Sequence, residues 1–187
     1  SKMIFANAYS NVAPSKYLQN VFLENGFDNT IYIPNVLEIA NYKFKERSSF
    51  EPKILWVRAF ASIYNPKMAI DVFNLIKSDY PNATICMVGP EKDGSLESTK
   101  KYTEELGLNV VFTGKLPKEK WLELSNNYDV FINTTHIDNT PISVMEAMAM
   151  GLPVISTNVG GIPFLLDDEV DSFLVNDNDI DAMVKSI

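Results

Sequence analysis

Asp129–Thr157 reads DVFINTTHIDNTPISVMEAMAMGLPVIST. A short apolar run opens it, a polar loop follows, and a helix-like stretch is entered through Asn139-Thr140-Pro141 and left through Gly151-Leu152-Pro153. A second apolar run, rich in β-branched residues, closes it. Two apolar strands joined by a helix-length crossover form a parallel pair, because a tight hairpin can join only antiparallel strands. Working outward, the alternation continues. PKILWVR (52–58), ATICMVG (83–89), NVVFTG (109–114) and SFLV (172–175) read as further buried strands. Helices are expected at 65–81, where Ile70, Phe73 and Ile76 keep helical spacing, at 95–107 with Gly107 as the stop, at 117–127, and from Asp179 onward. Continuous apolar strands alternating with helices imply an α/β fold with a doubly wound, Rossmann-like parallel sheet covered on both faces by right-handed crossovers.

The 187 residues are 46% apolar and 21% charged, enough for one ordinary domain, or one domain and part of another. A net charge of −8 argues against a nucleic-acid partner, which needs clustered Lys and Arg. One Cys, Cys86, leaves no disulfide framework, and mid-strand it reads as core. No apolar run reaches the roughly 20 residues of a membrane helix. Residues 1–36 carry an amphipathic helix pattern (16–27) and a strand pattern (29–35) and read as the tail of a preceding domain. Residues 37–51 are polar and weakly periodic, a linker, and 52–187 form the main domain. Ser1-Lys2-Met3 reads as an added start, and the chain stops at Ile187 within a helix pattern, as a fragment would.

Ligands of a doubly wound sheet sit beyond the carboxyl ends of the strands, at the point where strand order reverses. In the order 3-2-1-4-5-6, that crevice lies between the first and fourth strands of the main domain. Arg58 ends the first. Its planar fork suits a diphosphate, though a strand-end Arg can also simply meet solvent or a carboxylate. Lys67 falls in the first turn of the next helix, against the helix dipole, which points to an anion there unless the side chain is merely solvated. After the fourth strand, Thr140 is expected to cap the helix with Pro141 as its first residue, leaving N–H groups around Asn139–Ser143 for a phosphate. Glu146 lies among Val144, Met145, Ala147, Met148 and Ala149. A buried carboxylate needs a donor, from the protein or from ligand hydroxyls such as a ribose diol. Asp138, in the loop, could reach the other end of the same ligand. Val159-Gly160-Gly161 permits a close backbone approach.

These stretches, together with VAPSKYLQNVF, YIPNV, DNTPISVMEAMAMGLPVISTNVGGIPFLL and VVFTGKLPKEK (110–120), resemble the carboxyl-terminal half of retaining GT-B glycosyltransferases of the family 4 (group 1) type, over nearly the whole chain. The resemblance implies a nucleotide-sugar donor, transfer with retention, and no metal or cofactor. It implies that Arg58 and Lys67 hold the donor diphosphate and that Glu146 binds the ribose as the second acid of a Glu-x7-Glu motif. Asp138 stands in place of the first acid, at the donor sugar. Asn139, Thr140 and Pro141 would face the phosphates, and Gly114, Lys115 and Leu116 the base. Two positions depart from the family: Asp138 is one methylene shorter than Glu, and Val57 replaces a Gly. Implied partners are a glycan or lipid-linked acceptor and the protein's own amino-terminal domain, in a cytoplasmic enzyme with peripheral membrane contact. The fragment alone is expected to be inactive in transfer.

Two other classes stay open, a nucleotide-sugar 2-epimerase and a non-enzymatic nucleotide-binding module. A dinucleotide dehydrogenase is disfavoured, since no G-x-G-x-x-G follows the first strand. Asp177-Asn178-Asp179 imitates a metal-binding Asp-x-Asp, but Asp179 suits a helix N-cap. His136, the lone His, makes a poor metal site and could lie near a donor sugar.

Overall fold

The computed structural model describes residues 2–47 and 50–187; Ser1, and positions 48 and 49 of the segment 37–51, lie outside the described residues. The chain begins with helix α1 (Lys2–Asn7), strand β1 (Asn11–Ala13), helix α2 (Lys16–Glu24) and strand β2 (Thr30–Tyr32). β1 and β2 pair in parallel. Both α1 and β1 escape the sequence reading, being too short for a period to register. Ser15 caps α2 by accepting from the Leu18 amide at 3.0 Å.

The main domain runs β3 (Lys53–Val57), α3 (Pro66–Asp79), β4 (Thr84–Val88), α4 (Ser95–Glu105), β5 (Val111–Gly114), α5 (Lys118–Ser125), β6 (Val130–Asn133), α6 (Ile142–Ala149), β7 (Val154–Thr157), β8 (Phe173–Val175) and α7 (Ile180–Ser186). Six parallel strands lie in the order β5-β4-β3-β6-β7-β8. Counted within the domain this is 3-2-1-4-5-6, as the alternation implies.

Successive side chains of a strand point to opposite faces, which builds two cores. Ile54, Trp56, Ile85, Met87, Val130 and Ile132 pack under α3, α4 and α7. Leu55, Cys86, Val88, Phe131 and Val154 pack under α5 and α6. Trp56, Phe73 and Phe131 are fully buried, and burial of each such side chain stabilises the fold by about 1.5–3 kcal/mol. α3 is entered through Asn65, in the left-handed conformation (φ 47°), whose side chain accepts from the Met68 amide, with Pro66 as the first helical residue.

The segment after β2 is more than a polar linker. A 3-10 turn at Ile39–Asn41 leads to Tyr42, which is buried in the second core. Lys45 donates its amide to the Met150 carbonyl, and Arg47 donates to the carbonyls of Tyr128, Met150 and Ser125. These bonds strap residues 37–47 along the α5–α6 side, which a search for periodicity cannot register. Among the described residues no helix is long and apolar enough to cross a membrane.

Candidate functional site

β3 and β6 are neighbours whose following helices, α3 and α6, cover opposite faces of the sheet, so a crevice opens beyond their carboxyl ends. Arg58 follows β3 directly and donates its amide to the Val88 carbonyl. Its guanidinium stacks over the Tyr64 ring, 4.2 Å from the centroid, and pairs with the Asp138 carboxylate. Both side chains are only about one-eighth exposed, 13% and 12%. Burial pushes the Arg58 pKa below its usual value, and Tyr64 opposes that shift. Nε of Arg58 is buried with no hydrogen-bond partner, a donor held in reserve.

Tyr64 is held from below. The Thr134 hydroxyl, which accepts from Trp56 Nε1, lies 3.1 Å from the Tyr64 carbonyl and 2.9 Å from that of Asn65. The Thr135 hydroxyl lies 3.1 Å from the Ile63 carbonyl. These threonines fasten the β3–α3 loop to the end of β6.

Glycines shape the rest. Gly89 ends β4 against Arg58, where a Cβ would lie 1.7 Å from the Arg58 carbonyl oxygen. At Gly161 a Cβ would lie 1.8 Å from the Asn139 oxygen, and the Gly161 amide donates to the Asp138 carbonyl at 2.8 Å. The close approach read from Val159-Gly160-Gly161 is thus made onto the Asp138–Asn139 backbone. Residues 14 and 15 bracket that loop from the other side: Ser15 contacts the Asn139 side chain and Thr140 donates to the Pro14 carbonyl.

Thr140 therefore does not cap α6. Pro141 occupies the cap position, no side chain caps the helix, and the Asn139 amide is taken by the Asp138 carboxylate at 2.7 Å. The first turn of α6 keeps its uncapped N–H groups, and the Ser143 hydroxyl there is buried without a partner. Glu146 is 6% exposed. It accepts from the Tyr42 hydroxyl and pairs with Lys118, each at 2.8 Å, so in this structure its donors come from the protein. Lys67 is not brought to Arg58. Its ammonium lies over the Tyr102 ring at 4.7 Å, a contact that offsets its unfavourable place in the helix dipole.

Two cavities flank the Arg58–Asp138 pair. One, of about 220 Å³, includes Arg58, Gly89, Lys115, Leu116 and Trp121 in its lining. Gly114, whose φ of +67° turns the chain there, gives its carbonyl to the Gly89 amide. The other, of about 400 Å³, is lined by Asp138, Asn139, Tyr64, Ile63 and Ile137 with Tyr17, Leu18 and Val21 of α2.

The remaining candidates have structural partners. His136 pairs with Asp177 at 2.9 Å, and Asp179 caps α7 by accepting from the Ala182 amide. Cys86 is buried. Near the crevice, the Asp93 carboxylate binds Ser95 and the Ser62 amide, which hold its pKa down at about 2. A depressed carboxylate contributes fully above its ordinary pKa of 3.8 and loses that contribution as pH falls through about 2. Acidification over this window is expected to release the Ser62 amide. Hydrogen exchange would report it, and unchanged protection at the lower end would contradict it.

Solved structures share this architecture. Anabaena HepE in complex with UDP and glucose matches with a TM-score of 0.85 at 21% identity, covering 98% of this chain and 54% of that one. TarM matches with a TM-score of 0.82 at 18% identity, covering 98% and 37%. The fold is that of GT-B glycosyltransferase structures. Among curated proteins, sulfoquinovosyl transferase SQD2 of Arabidopsis thaliana is 27% identical over 124 residues, 64% of this chain and 23% of its own length. A UDP-Gal:alpha-D-GlcNAc-diphosphoundecaprenol alpha-1,3-galactosyltransferase of Escherichia coli is 30% identical over 111 residues, 57% and 27%. D-inositol 3-phosphate glycosyltransferase of Saccharomonospora viridis is 31% identical over 137 residues, 66% and 32%. The chain thus spans less than a third of the length of each of these three relatives. The family description "Glycosyl transferases group 1" fits residues 38–187, including the strap that carries Tyr42, and the chain belongs to that family.

Proposed function

We propose that this chain is the donor-binding part of a retaining, metal-independent glycosyltransferase of the family 4 type that uses a nucleoside diphospho-sugar. The observation that carries the reading is the buried Arg58–Asp138 pair at the β3–β6 crevice, with a cavity on each side. The base would enter the cavity at Lys115 and Leu116, and the ribose would approach Glu146. The diphosphate would lie against Arg58 and the uncapped first turn of α6, where Ser143 offers one more donor. Lys67 would have to leave Tyr102 to join them, so Arg58 is the principal cation of this proposal.

As the bond from the anomeric carbon to phosphate oxygen breaks, its electron pair stays on the departing diphosphate. Preorganised donors stabilise that charge. The acceptor hydroxyl bonds to the same face of the sugar, and its proton passes to the departing phosphate oxygen. Asp138 is engaged by Arg58, so its part is to orient the arginine and the sugar rather than to act as a free base. The acceptor is a glycan or a lipid-linked glycan, bound between this chain and the amino-terminal domain to which residues 1–36 belong. The working place is cytoplasmic, with peripheral membrane contact. The Escherichia coli relative is named for a UDP-sugar, and HepE is described in complex with UDP, which makes UDP the first nucleotide to try.

The test is a thermal-shift titration with UDP, GDP, ADP and their sugar conjugates. At 100 times the dissociation constant a ligand stabilises by about 2.7 kcal/mol, or about 5–10 °C for a chain of this size. One base is expected to shift the melt while 1–187 alone transfers no sugar. No shift by any nucleotide, in this chain and in the full-length protein, would overturn the donor reading. Turnover by purified 1–187 would overturn the need for the acceptor domain.

A further inference from the structure

Glu146 is the one acidic residue in the apolar run from Val144 to Met150, and it is almost completely buried. Two elements remote in sequence converge on it. Tyr42, on the strap, donates its hydroxyl to Oε1 at 2.8 Å, and Lys118, the first residue of α5, places Nζ 2.8 Å from the same oxygen. Lys118 Nζ also lies 4.9 Å from the centre of the Tyr42 ring. The three groups form a closed triangle in which both protein contacts fall on Oε1 and leave Oε2 outside them.

Tyr42 is not free to drift from this place. The strap is bonded to the carboxyl end of α6, the helix that carries Glu146, through the Met150 carbonyl, which accepts from the Lys45 amide and the Arg47 guanidinium. Gly151 lets the strap lie close there, since a Cβ at that position would meet the Lys45 carbonyl oxygen at 2.7 Å. Lys118 is half exposed and opens α5 directly after the loop whose Lys115 and Leu116 line the cavity beside Arg58. Held by an ammonium and a phenol on the same oxygen, the carboxylate is fixed in rotation. A carboxylate with one oxygen engaged by the protein and the other outside those contacts is suited to accept from a vicinal diol.

We propose that Tyr42 and Lys118 are positioning residues for nucleoside binding, which fix Glu146 through Oε1 so that Oε2 accepts from the ribose hydroxyls. This rests on the assignment of Glu146 to the ribose made above. It gives the strap a part in selecting a ribonucleotide.

The test compares the affinity of the full-length protein for UDP, or for whichever nucleoside diphosphate the titration selects, with that for its 2′,3′-dideoxy analogue. Tyr42→Phe, Lys118→Met, Lys118→Arg and Glu146→Gln are measured beside the unchanged protein by calorimetry. The unchanged protein is expected to prefer the ribose form. Tyr42→Phe and Lys118→Met are each expected to weaken binding of that form by about 10-fold, the scale of one hydrogen bond to a charged group, while binding of the dideoxy form stays put. Lys118→Arg is expected to keep most of the preference.

A purely structural role would lower the melting temperature and leave the ratio of the two affinities unchanged, and that result would overturn the proposal. Collapse of the ratio in Glu146→Gln but not in Tyr42→Phe or Lys118→Met would overturn it alone. An unchanged ratio in Glu146→Gln would remove the ribose assignment itself, and absence of nucleotide binding by the unchanged protein would remove the donor reading. Tyr42→Phe keeps the buried ring, so it remains informative should a Lys118 variant fail to fold.

Discussion

Replacing Arg58 with Ala is expected to lower sugar transfer by the full-length protein about 100- to 1,000-fold and to abolish the melting shift produced by the nucleoside diphosphate. Loss of one preorganised donor at a site of developing negative charge has this scale. Here the loss is compounded. The guanidinium is stacked on Tyr64, and its Nε has no acceptor, so the arrangement is already paid for before the diphosphate arrives. Its removal also leaves the Asp138 carboxylate buried without its cation, close to where the donor's own negative charge would lie. Arg58→Lys separates charge from shape. Lysine keeps the cation but not the planar fork, so partial recovery, well short of the native rate, is expected. Transfer by Arg58→Ala within about threefold of the unchanged protein, a difference under 1 kcal/mol, would remove Arg58 from the mechanism.

The second large effect is expected at Gly161. An Ala there has an ordinary backbone conformation, since φ is −88°. The cost is therefore one of contact: the added Cβ would lie 1.8 Å from the carbonyl oxygen of Asn139 and 2.8 Å from its carbon. Both are backbone atoms, so no side chain can swing aside. Either the turn at 160–161 or the loop at 138–139 must move, and the bond from the Gly161 amide to the Asp138 carbonyl moves with it. Gly161→Ala is expected to destabilise by about 3 kcal/mol, or roughly 6–12 °C in melting temperature. Nucleotide binding should weaken as well, because Asp138 and the start of α6 shift together. A melt within about 2 °C of the unchanged protein would show that the loop yields at little cost.

The largest features of the fold were legible because they rest on local patterns. Runs such as Ile54–Trp56 and Val130–Ile132, too short for helices and rich in β-formers, read as strands buried on both faces, and the helices between them imply parallel pairing. What was not legible depends on partners far away in the chain. The burial of Glu146 announced that it needed a donor, but nothing local pointed to Tyr42, 104 residues earlier. The strap looked like a linker because its order comes from bonds to Met150, Tyr128 and Ser125 rather than from a period of its own. Lys67 stands out in sequence for its place in a helix dipole, and Tyr102 on the neighbouring helix, out of reach of that pattern, offsets the cost. Thr140 is a fair capping residue by type, yet its hydroxyl is drawn to the Pro14 carbonyl instead. Gly89 reads in sequence only as a strand-end glycine, although the spacing of backbone atoms beside Arg58 depends on it.

The strand order has a consequence for synthesis. β3 is central, yet its two neighbours arrive at very different times: Ile54 pairs with Ile85 on one side and with Val130 on the other. A chain emerging from the ribosome can form the first ladder well before the second partner exists. During that interval the free edge of β3 displays unpaired backbone groups alongside Leu55 and Trp56, both fully buried in the finished sheet. An apolar edge of this kind invites pairing with other chains. The stretch of translation between β4 and β6 is therefore when the β3 edge is most open to pairing with other chains, and a pause there is expected to favour aggregation over folding.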